Sequence, residues 1–523
     1  MFRLVILTFA FWTTSGGRLG DFARNRGYNP KLVTRANGGV RSDSPQNFRF
    51  LSQDTEAFRV KSLPDIPFDV DEMYAGNIPT NTQNSSRSLY FVFQPKFGNP
   101  VDEITIWLNG GPGCSSLEGF FQENGPFSWG YGQYSPTINP YSWVNLTNML
   151  WVEQPVGTGF SVGEVTAMSQ EDIAKDFTDF LLNFEKIFGI KKFKIYVTGE
   201  SYAGRYVPYI SAAILDRNDT DHFDLKGALM YDPCIGSFEY AQQEVPTLPF
   251  VLKNNNILGL NDSYLDQLEE LDEKCGYADF RDQYLSFPPD GVQLPKFFNH
   301  TSDLACDIWG QVNNAAWAPN PCFNVYQIGT QCPLLSDPLG LPTGLQYSYS
   351  GQPIYFNRTD VKKAMNAPVD VSWQECSNGA VFLGSGGPES EGDISPDPIQ
   401  SVLPRVIEAT NRVLISNADL DMEIITDGTL LAIQNMTWNG DLGFQNKPCT
   451  PIVITLPDLQ YAGVFAANTA AGLDDPQGTM GVQHYERGLM WAETYLAGHM
   501  QPQFQPRSAY RHLQWVLGHI ETL

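Results

Sequence analysis

The stretch FKIYVTGESYAGRYVPYISAAI, residues 193–214, decides the fold. Its opening, Phe193 to Thr198, is a short apolar run rich in β-branched and aromatic residues, the pattern of a buried strand. From Tyr206 to Ile214 an apolar helix follows, and Gly199-Glu200-Ser201-Tyr202-Ala203-Gly204 stands between them. Strand, sharp turn and helix together lift a serine hydroxyl out of a sheet and aim neighbouring backbone groups at a reacting centre. The general Gly-x-Ser-x-Gly form has glycine where this chain has Ala203, so a merely structural turn stays open on this pattern alone.

A serine hydroxyl is a weak nucleophile and needs a base, and the base needs a carboxylate to fix its tautomer. The chain has six histidines. His222 sits in an Asp-rich loop, His300 in a glycosylation acceptor, His484 before polar residues, and His512 and His519 in a C-terminal helical stretch. His499 differs: it follows the strand-like run Leu489 to Leu496 and the small residues Ala497 and Gly498. Strand-end loops are where this class of fold displays its chemistry. The strand-like run Val413 to Ser416 leads to Asn417-Ala418-Asp419-Leu420-Asp421, in which either aspartate could serve. The chain order serine, aspartate, histidine is that of α/β-hydrolases.

Further out, Leu89 to Phe93, Glu103 to Leu108, Lys194 to Thr198 and Arg412 to Ser416 read as buried, mostly parallel strands. Glu171 to Phe188 places Ile173, Phe177, Phe180, Leu181 and Phe184 at helical spacing. Alternating strands and helices predict an α/β fold, a helix-flanked and mostly parallel sheet. From Ser237 to Ser350 the texture becomes rich in Pro, Asn and Asp and holds four of the eight cysteines, which predicts a disulfide-stapled cap insertion. The expected organisation is a leader at 1–17, a propeptide or flexible arm at 18–60, core at 61–236, cap at 237–350 and core again at 351–523. A Gly/Ser/Pro/Glu run from Gly384 to Pro398 is expected to be a surface loop.

With 42% hydrophobic and 17% charged residues, the 523-residue chain is globular rather than disordered. Its 33 basic residues against 58 acidic ones give a formal charge of −25, which disfavours nucleic acid, whose affinity comes from basic residues that release counterions. Residues 1–61 are the exception, a basic leader and arm ahead of a very acidic body. Met1-Phe2-Arg3, the apolar run Leu4 to Trp12 and the small residues after it have the shape of a signal peptide, cleaved between Ser15 and Arg18. That run is about half the ~20 residues a membrane helix needs, and no later one reaches that length, so a spanning protein is not expected. Seven Asn-x-Ser/Thr acceptors and eight cysteines, at 114, 234, 275, 306, 322, 332, 376 and 449, point to an oxidising secretory route in which the cysteines would pair. No CxxC or HExxH spacing and no nucleotide or flavin motif is present, so no metal or other cofactor is expected.

Long motifs carry the chain further. They are YAGNIP from Tyr74, WLNGGPGCSS from Trp107, EQPVGTGFS from Glu153, GESYAGRYVP from Gly199 and AGHM from Ala497. On these the chain, from Tyr74 to Leu517, resembles the serine carboxypeptidases, of the secreted fungal kind. The resemblance implies an α/β-hydrolase fold with a cap insertion and removal of C-terminal residues from peptides and proteins at acidic pH, through an acyl-enzyme. It implies Ser201 as nucleophile, His499 as base and Asp421 as the base's partner, with Gly111 and Tyr202 supplying the oxyanion-hole N–H groups. It also implies a disulfide between Cys114 and Cys376, and recognition of the substrate's free carboxylate by Asn109, Gly110, Glu123 and Glu200. Gln501 stands where valine is commoner, which bears on the leaving-residue pocket.

Two glutamates facing a carboxylate repel it unless one holds a proton, so binding should require mild acid. A histidine with an ordinary pKa near 6.5 is protonated there, so burial must depress it. An acyltransferase or esterase on the same scaffold is the alternative function, since an acyl-enzyme passes its acyl group to alcohols too. Asn109, Glu123 and Glu200 favour the peptidase, because an ester offers no free carboxylate. Metallocarboxypeptidases are disfavoured by the absence of their HxxE spacing. Secretion and vacuolar delivery are both compatible with the leader, and oligomeric state is not legible.

Overall fold

The structure is a computed structural model and describes residues 48–81, 84–299, 302–340, 354–385, 392–454 and 478–523. The expected leader and most of the expected arm lie outside the described residues, as does part of the Gly384–Pro398 run. The described residues fall in one compact unit.

Its centre is a ten-stranded sheet. In chain order the strands are β1 (Tyr74–Asn81), β2 (Asn84–Gln94), β3 (Glu103–Leu108), β4 (Asn148–Glu153), β5 (Lys194–Glu200), β6 (Asp224–Tyr231), β7 (Val413–Ala418), β8 (Thr450–Ile454), β9 (Gly478–Glu486) and β10 (Leu489–Thr494). They lie in the order β1-β2-β4-β3-β5-β6-β7-β10-β9-β8. The six central strands, β4 to β10 in that order, are all parallel, and antiparallel pairs close both ends. Three of the four expected strands take parallel places. Leu89–Phe93 does not: it lies in β2, antiparallel to both β1 and β4. Its continuous apolar run reflects burial on both faces, which periodicity cannot distinguish from a parallel strand.

Helix α1 (Gln170–Phe188) carries Glu171 and Asp172 in its first turn and Lys186 in its last, favourable ends for the helix dipole, and stops at Gly189 in the left-handed conformation. Its Phe184 and Phe188 rings pack on Phe91 and Phe93 of β2, with centroids 5.1 to 5.8 Å apart. Helix α2 (Ala203–Asp216) leaves the end of β5 directly.

Residues 237–340 hold the helices Val245–Leu258, Asp262–Lys274, Tyr277–Tyr284 and Ile308–Ala316. They share a second buried cluster, including Val245, Val251, Leu268, Ile308 and Val312, to which Met422, Ile425 and Leu431 contribute. Disulfides Cys275–Cys306 and Cys322–Cys332 staple this insertion, and Cys114–Cys376 joins two distant loops of the core. The expectation that all eight cysteines pair is corrected: Cys234 is buried and free, and Cys449 is exposed and free. An even count says nothing of geometry, and a disulfide needs Cα atoms within about 7 Å. The Gly384–Pro398 run is also less superficial than expected: Asp393 is buried and accepts bonds from Tyr202 Oη and Gln170 Nε2, both at 2.8 Å.

Candidate active site

Asn109, Ser201, Asp232, Asp421 and His499 all lie just beyond the carboxyl ends of parallel strands β3, β5, β6, β7 and β10. A parallel sheet gathers such ends on one edge, which is why residues almost 400 positions apart share a site.

Ser201 sits on the turn between β5 and α2 with φ +61°, a left-handed conformation uncommon outside glycine. Three backbone bonds hold it: Ser201 N–H donates to Tyr231 O at 2.9 Å, while Gly204 and Cys234 N–H groups donate to Ser201 O at 2.8 and 3.0 Å. The loop after β3 lies against this elbow so closely that a Cβ on Gly110 would come within 2.5 Å of the Tyr202 nitrogen and 2.7 Å of Ser201 Cβ. Gly111, at φ +105°, turns the loop over the same point. The Gly110–Gly111 and Tyr202 main-chain groups therefore flank the serine. The Tyr202 side chain is directed away to Asp393, leaving its backbone at the elbow.

His499 is buried, with Nδ1 2.7 Å from Asp421 Oδ2. Of the two aspartates left open by the sequence, Asp421 makes this contact; Asp419 accepts instead from Ala497 N–H at 3.4 Å. Asp421 Oδ1 accepts from Glu423 N–H at 2.9 Å. The other imidazole nitrogen, Nε2, is buried and without a hydrogen-bond partner among the described residues. Burial lowers the His499 pKa, against the opposing charges of Asp232 and Glu423. Tyr326, from the insertion, lies 5.0 Å from the imidazole between ring centroids, and its carbonyl accepts the His499 N–H at 2.8 Å.

The carboxylate-rich side of the site is built on Asn109. Its Oδ1 accepts from Trp107 Nε1 at 2.7 Å, which fixes the amide's orientation, and its Nδ2 faces Glu200 Oε1 at 2.8 Å and Glu123 Oε1 at 3.4 Å. Glu123 and Glu200 are both buried, and their pKa values are raised well above the ordinary carboxylate range by burial and then by neighbouring carboxylates. The two carboxyls share one amide and are closed to water with no fixed cation between them, so they do not both ionise. Glu118, which sequence analysis missed, joins the same amide at 3.4 Å and is pushed up to about 8 by burial and Asp337. Nothing marked it in the sequence beyond its place two residues past the motif that begins at Trp107.

Two more residues were missed. Tyr326 has no local pattern, because an insertion brings it to the site. Asp232, the residue after β6, has one carboxylate oxygen within 4.8 Å of atoms of Asp421 and His499. Among the described residues this trio alone has the spacing of metal ligands, and its atoms are engaged with one another and with protein donors. Gln501 is fully buried below this trio and donates to Asp232 Oδ2 at 2.6 Å, so it does not line a pocket for the leaving residue.

The profile of the serine carboxypeptidase family matches residues 64–519. The serine-type carboxypeptidase F of Aspergillus niger is 61% identical over 510 residues, covering 97% of this chain and 95% of that protein. A carboxypeptidase Y homologue of Arthroderma benhamiae is 39% identical over 487 residues, covering 92% and 90%. Among solved structures, Kex1Δp, a prohormone-processing carboxypeptidase of Saccharomyces cerevisiae, superposes with a TM-score of 0.66 at 26% identity, over 89% of this chain and 95% of that one. With the family profile spanning the sheet, the elbow and the histidine loop alike, this chain belongs to the serine carboxypeptidase family and is a serine-type carboxypeptidase, a hydrolase of peptides.

Proposed function

We propose that this enzyme removes C-terminal residues at mildly acidic pH, with Ser201 as nucleophile, His499 as general base and Asp421 as the group that orients it. The Asp421–His499 contact at 2.7 Å, with Nε2 left free, supports those roles. Ser201 Oγ attacks the last peptide carbonyl, passing its proton to Nε2. The oxyanion takes up N–H groups of Gly111 and Tyr202, donors fixed before charge develops. Nε2 then returns the proton to the leaving amino acid, and water repeats the sequence on the acyl-enzyme.

The observation that carries the exopeptidase reading is the buried Asn109–Glu123–Glu200 cluster. Asn109 and the Gly110 backbone, with a proton held between the two glutamates, offer donors to a free carboxylate and none suited to a chain that continues. The raised glutamate pKa values keep that proton in place in acid and release it as pH rises, so KM for peptides rises with pH. The His499 shift runs the other way and keeps the base unprotonated where the glutamates are protonated. We further infer that residues 237–350 form a cap over a core made of 61–236 and 351–523, and that the disulfides reflect an oxidising secretory route with extracellular delivery. No helix among the described residues is long and apolar enough to cross a membrane.

The test is KM against pH for one peptide and for its C-terminal amide, in wild type and in Glu123→Gln plus Glu200→Gln. The wild-type KM for the free acid is expected to rise at least about tenfold between pH 5 and 7, with a flatter profile for the amide and for the double variant. An unchanged profile in the double variant would overturn the shared-proton reading.

A further inference from the structure

Below the Asp421–His499 pair lies a carboxyl group that the proposed chemistry does not use. Asp232 is buried, at φ +40°, an uncommon conformation for a side-chain-bearing residue, and every end of it is held. Its N–H donates to Ser416 O at 2.8 Å, its Oδ1 accepts from Ala418 N–H at 2.7 Å, and its Oδ2 accepts from Gln501 Nε2 at 2.6 Å. Gln501 is fixed in turn: its Oε1 accepts from Ser416 Oγ at 2.8 Å and its Nε2 also donates to Ser416 O at 3.0 Å.

We propose that Asp232 is a positioning residue for the Asp421–His499 pair: clamped by Ala418 and Gln501, it holds a proton shared with Asp421, so that two adjacent carboxyls present one negative charge to the imidazole. This rests on the roles proposed above for Asp421 and His499. The groups facing Asp232 come from its own strand end and from three other elements. They are Tyr231 on its own strand, Asp421 after β7, His499 after β10 and Glu200 at the end of β5, with Glu423, also after β7, acting on Asp421 and His499. Only His499 among them can carry positive charge. Two carboxylates with oxygens within 4.8 Å of each other, closed to water and without a fixed cation, do not both ionise. Asp421 faces His499 Nδ1, the one group there that can become positive, besides the Glu423 N–H, whereas Asp232 faces only neutral amide donors, so Asp421 is the ionised member and Asp232 keeps the proton. Burial and the Asp421 charge raise Asp232 in the direction this requires.

The consequence lies in the base. An ionised Asp232 would add a second negative charge near the imidazole and favour imidazolium, which cannot accept the serine proton. A protonated Asp232 leaves His499 free to do so in acid. When the proton leaves at higher pH, the two carboxylates repel and the Nδ1 contact that orients the ring loosens.

The experiment is kcat against pH at saturating peptide, with KM alongside. Asp232→Asn keeps the shape and a donor toward Asp421 but cannot ionise. It is expected to lower kcat about threefold at pH 4.5 and to move the alkaline limb of kcat up by about one pH unit or more, with the KM profile unchanged. Asp232→Leu removes the contact and is expected to lower kcat at least about tenfold at every pH. Gln501→Leu withdraws a donor that favours the ionised Asp232, so it moves the alkaline limb up by less, and it decides the matter if Asp232→Asn is not recovered folded. A wild-type kcat limb in both the Asn and Gln501 variants, wild-type kcat in Asp232→Leu, or a shift confined to KM would overturn the proposal. Ser201→Ala and His499→Ala serve as controls: turnover surviving in them sinks the triad itself, whereas their inactivity beside unaltered Asp232 variants sinks only this inference.

Discussion

The serine half and the histidine half of the site are held by different parts of the molecule. Ser201 is set by the core alone: β5 delivers it, α2 begins two residues later, and Tyr231 and Cys234 at the end of β6 bond its backbone. Asp421 and His499 stand on longer loops after β7 and β10, and the insertion finishes those loops. Met422 N–H donates to Val325 O at 2.8 Å, Ile328 N–H to Leu420 O at 3.1 Å, and Trp309 Nε1 to Met422 O at 2.8 Å. A short strand–helix turn can store strain because both its neighbours are rigid. A long loop needs outside contacts to reach the same precision.

The largest effect that would sharpen this contrast is at Ser201. Ser201→Ala and Ser201→Gly are each expected to lower kcat about 10⁶-fold, measured by peptide turnover. They should part in thermal unfolding, where Ser201→Gly relieves the φ of +61° and gains about 1 kcal/mol while Ser201→Ala does not. Equal melting temperatures would mean that the elbow stores no strain. On the other half, Trp309→Phe removes one donor to the Asp421 loop from a residue that is not in the cleft chemistry. Its expected outcome is a fall in kcat of about three- to tenfold with KM unchanged and a stability loss of about 1 kcal/mol, read by steady-state kinetics and denaturant titration. An unaffected kcat would remove the insertion from the account of how Asp421 and His499 are held.

The smallest effect concerns what the halves have in common. Glu153, bonded by Phe160 N–H and Trp373 Nε1, is pushed up to about 7 by burial. Glu244, which accepts from Ile308 and Trp309 N–H groups, is pushed up to about 8 by the same cause. A carboxyl with a raised folded pKa binds more protons folded than unfolded between its ordinary value and the raised one, so its contribution to stability falls as pH rises through that window. Melting temperature by calorimetry is therefore expected to be higher at pH 5 than at pH 8. The reverse would mean that paired carboxylates, not buried ones, govern unfolding.

What the sequence made legible follows the same division. Ser201 and its elbow were written locally, in six residues between an apolar strand and an apolar helix, and His499 was marked by a strand end followed by small residues. Partner direction was not, because Leu89–Phe93 is equally apolar whichever way β4 runs beside it. Asp232, Tyr326 and the third acid, Glu118, were invisible for a related reason: each matters through neighbours that only the tertiary fold supplies. Gln501 was misplaced for the same cause, its position two residues after His499 suggesting a pocket when its amide is turned inward to Asp232 and Ser416. Cysteine parity likewise failed at Cys234, whose surroundings are an elbow and not a second thiol.

Val325 O, Tyr326 O and Ile328 N, the groups by which the insertion steadies the Asp421 and His499 loops, all belong to the main chain. Substitution at these positions leaves such groups in place, so these particular bonds to the Asp421 and His499 loops do not depend on which side chains stand at 325, 326 and 328. Adding or deleting a single residue there would shift every one of those groups at once. Length, then, and not spelling, is what these three bonds ask of the segment.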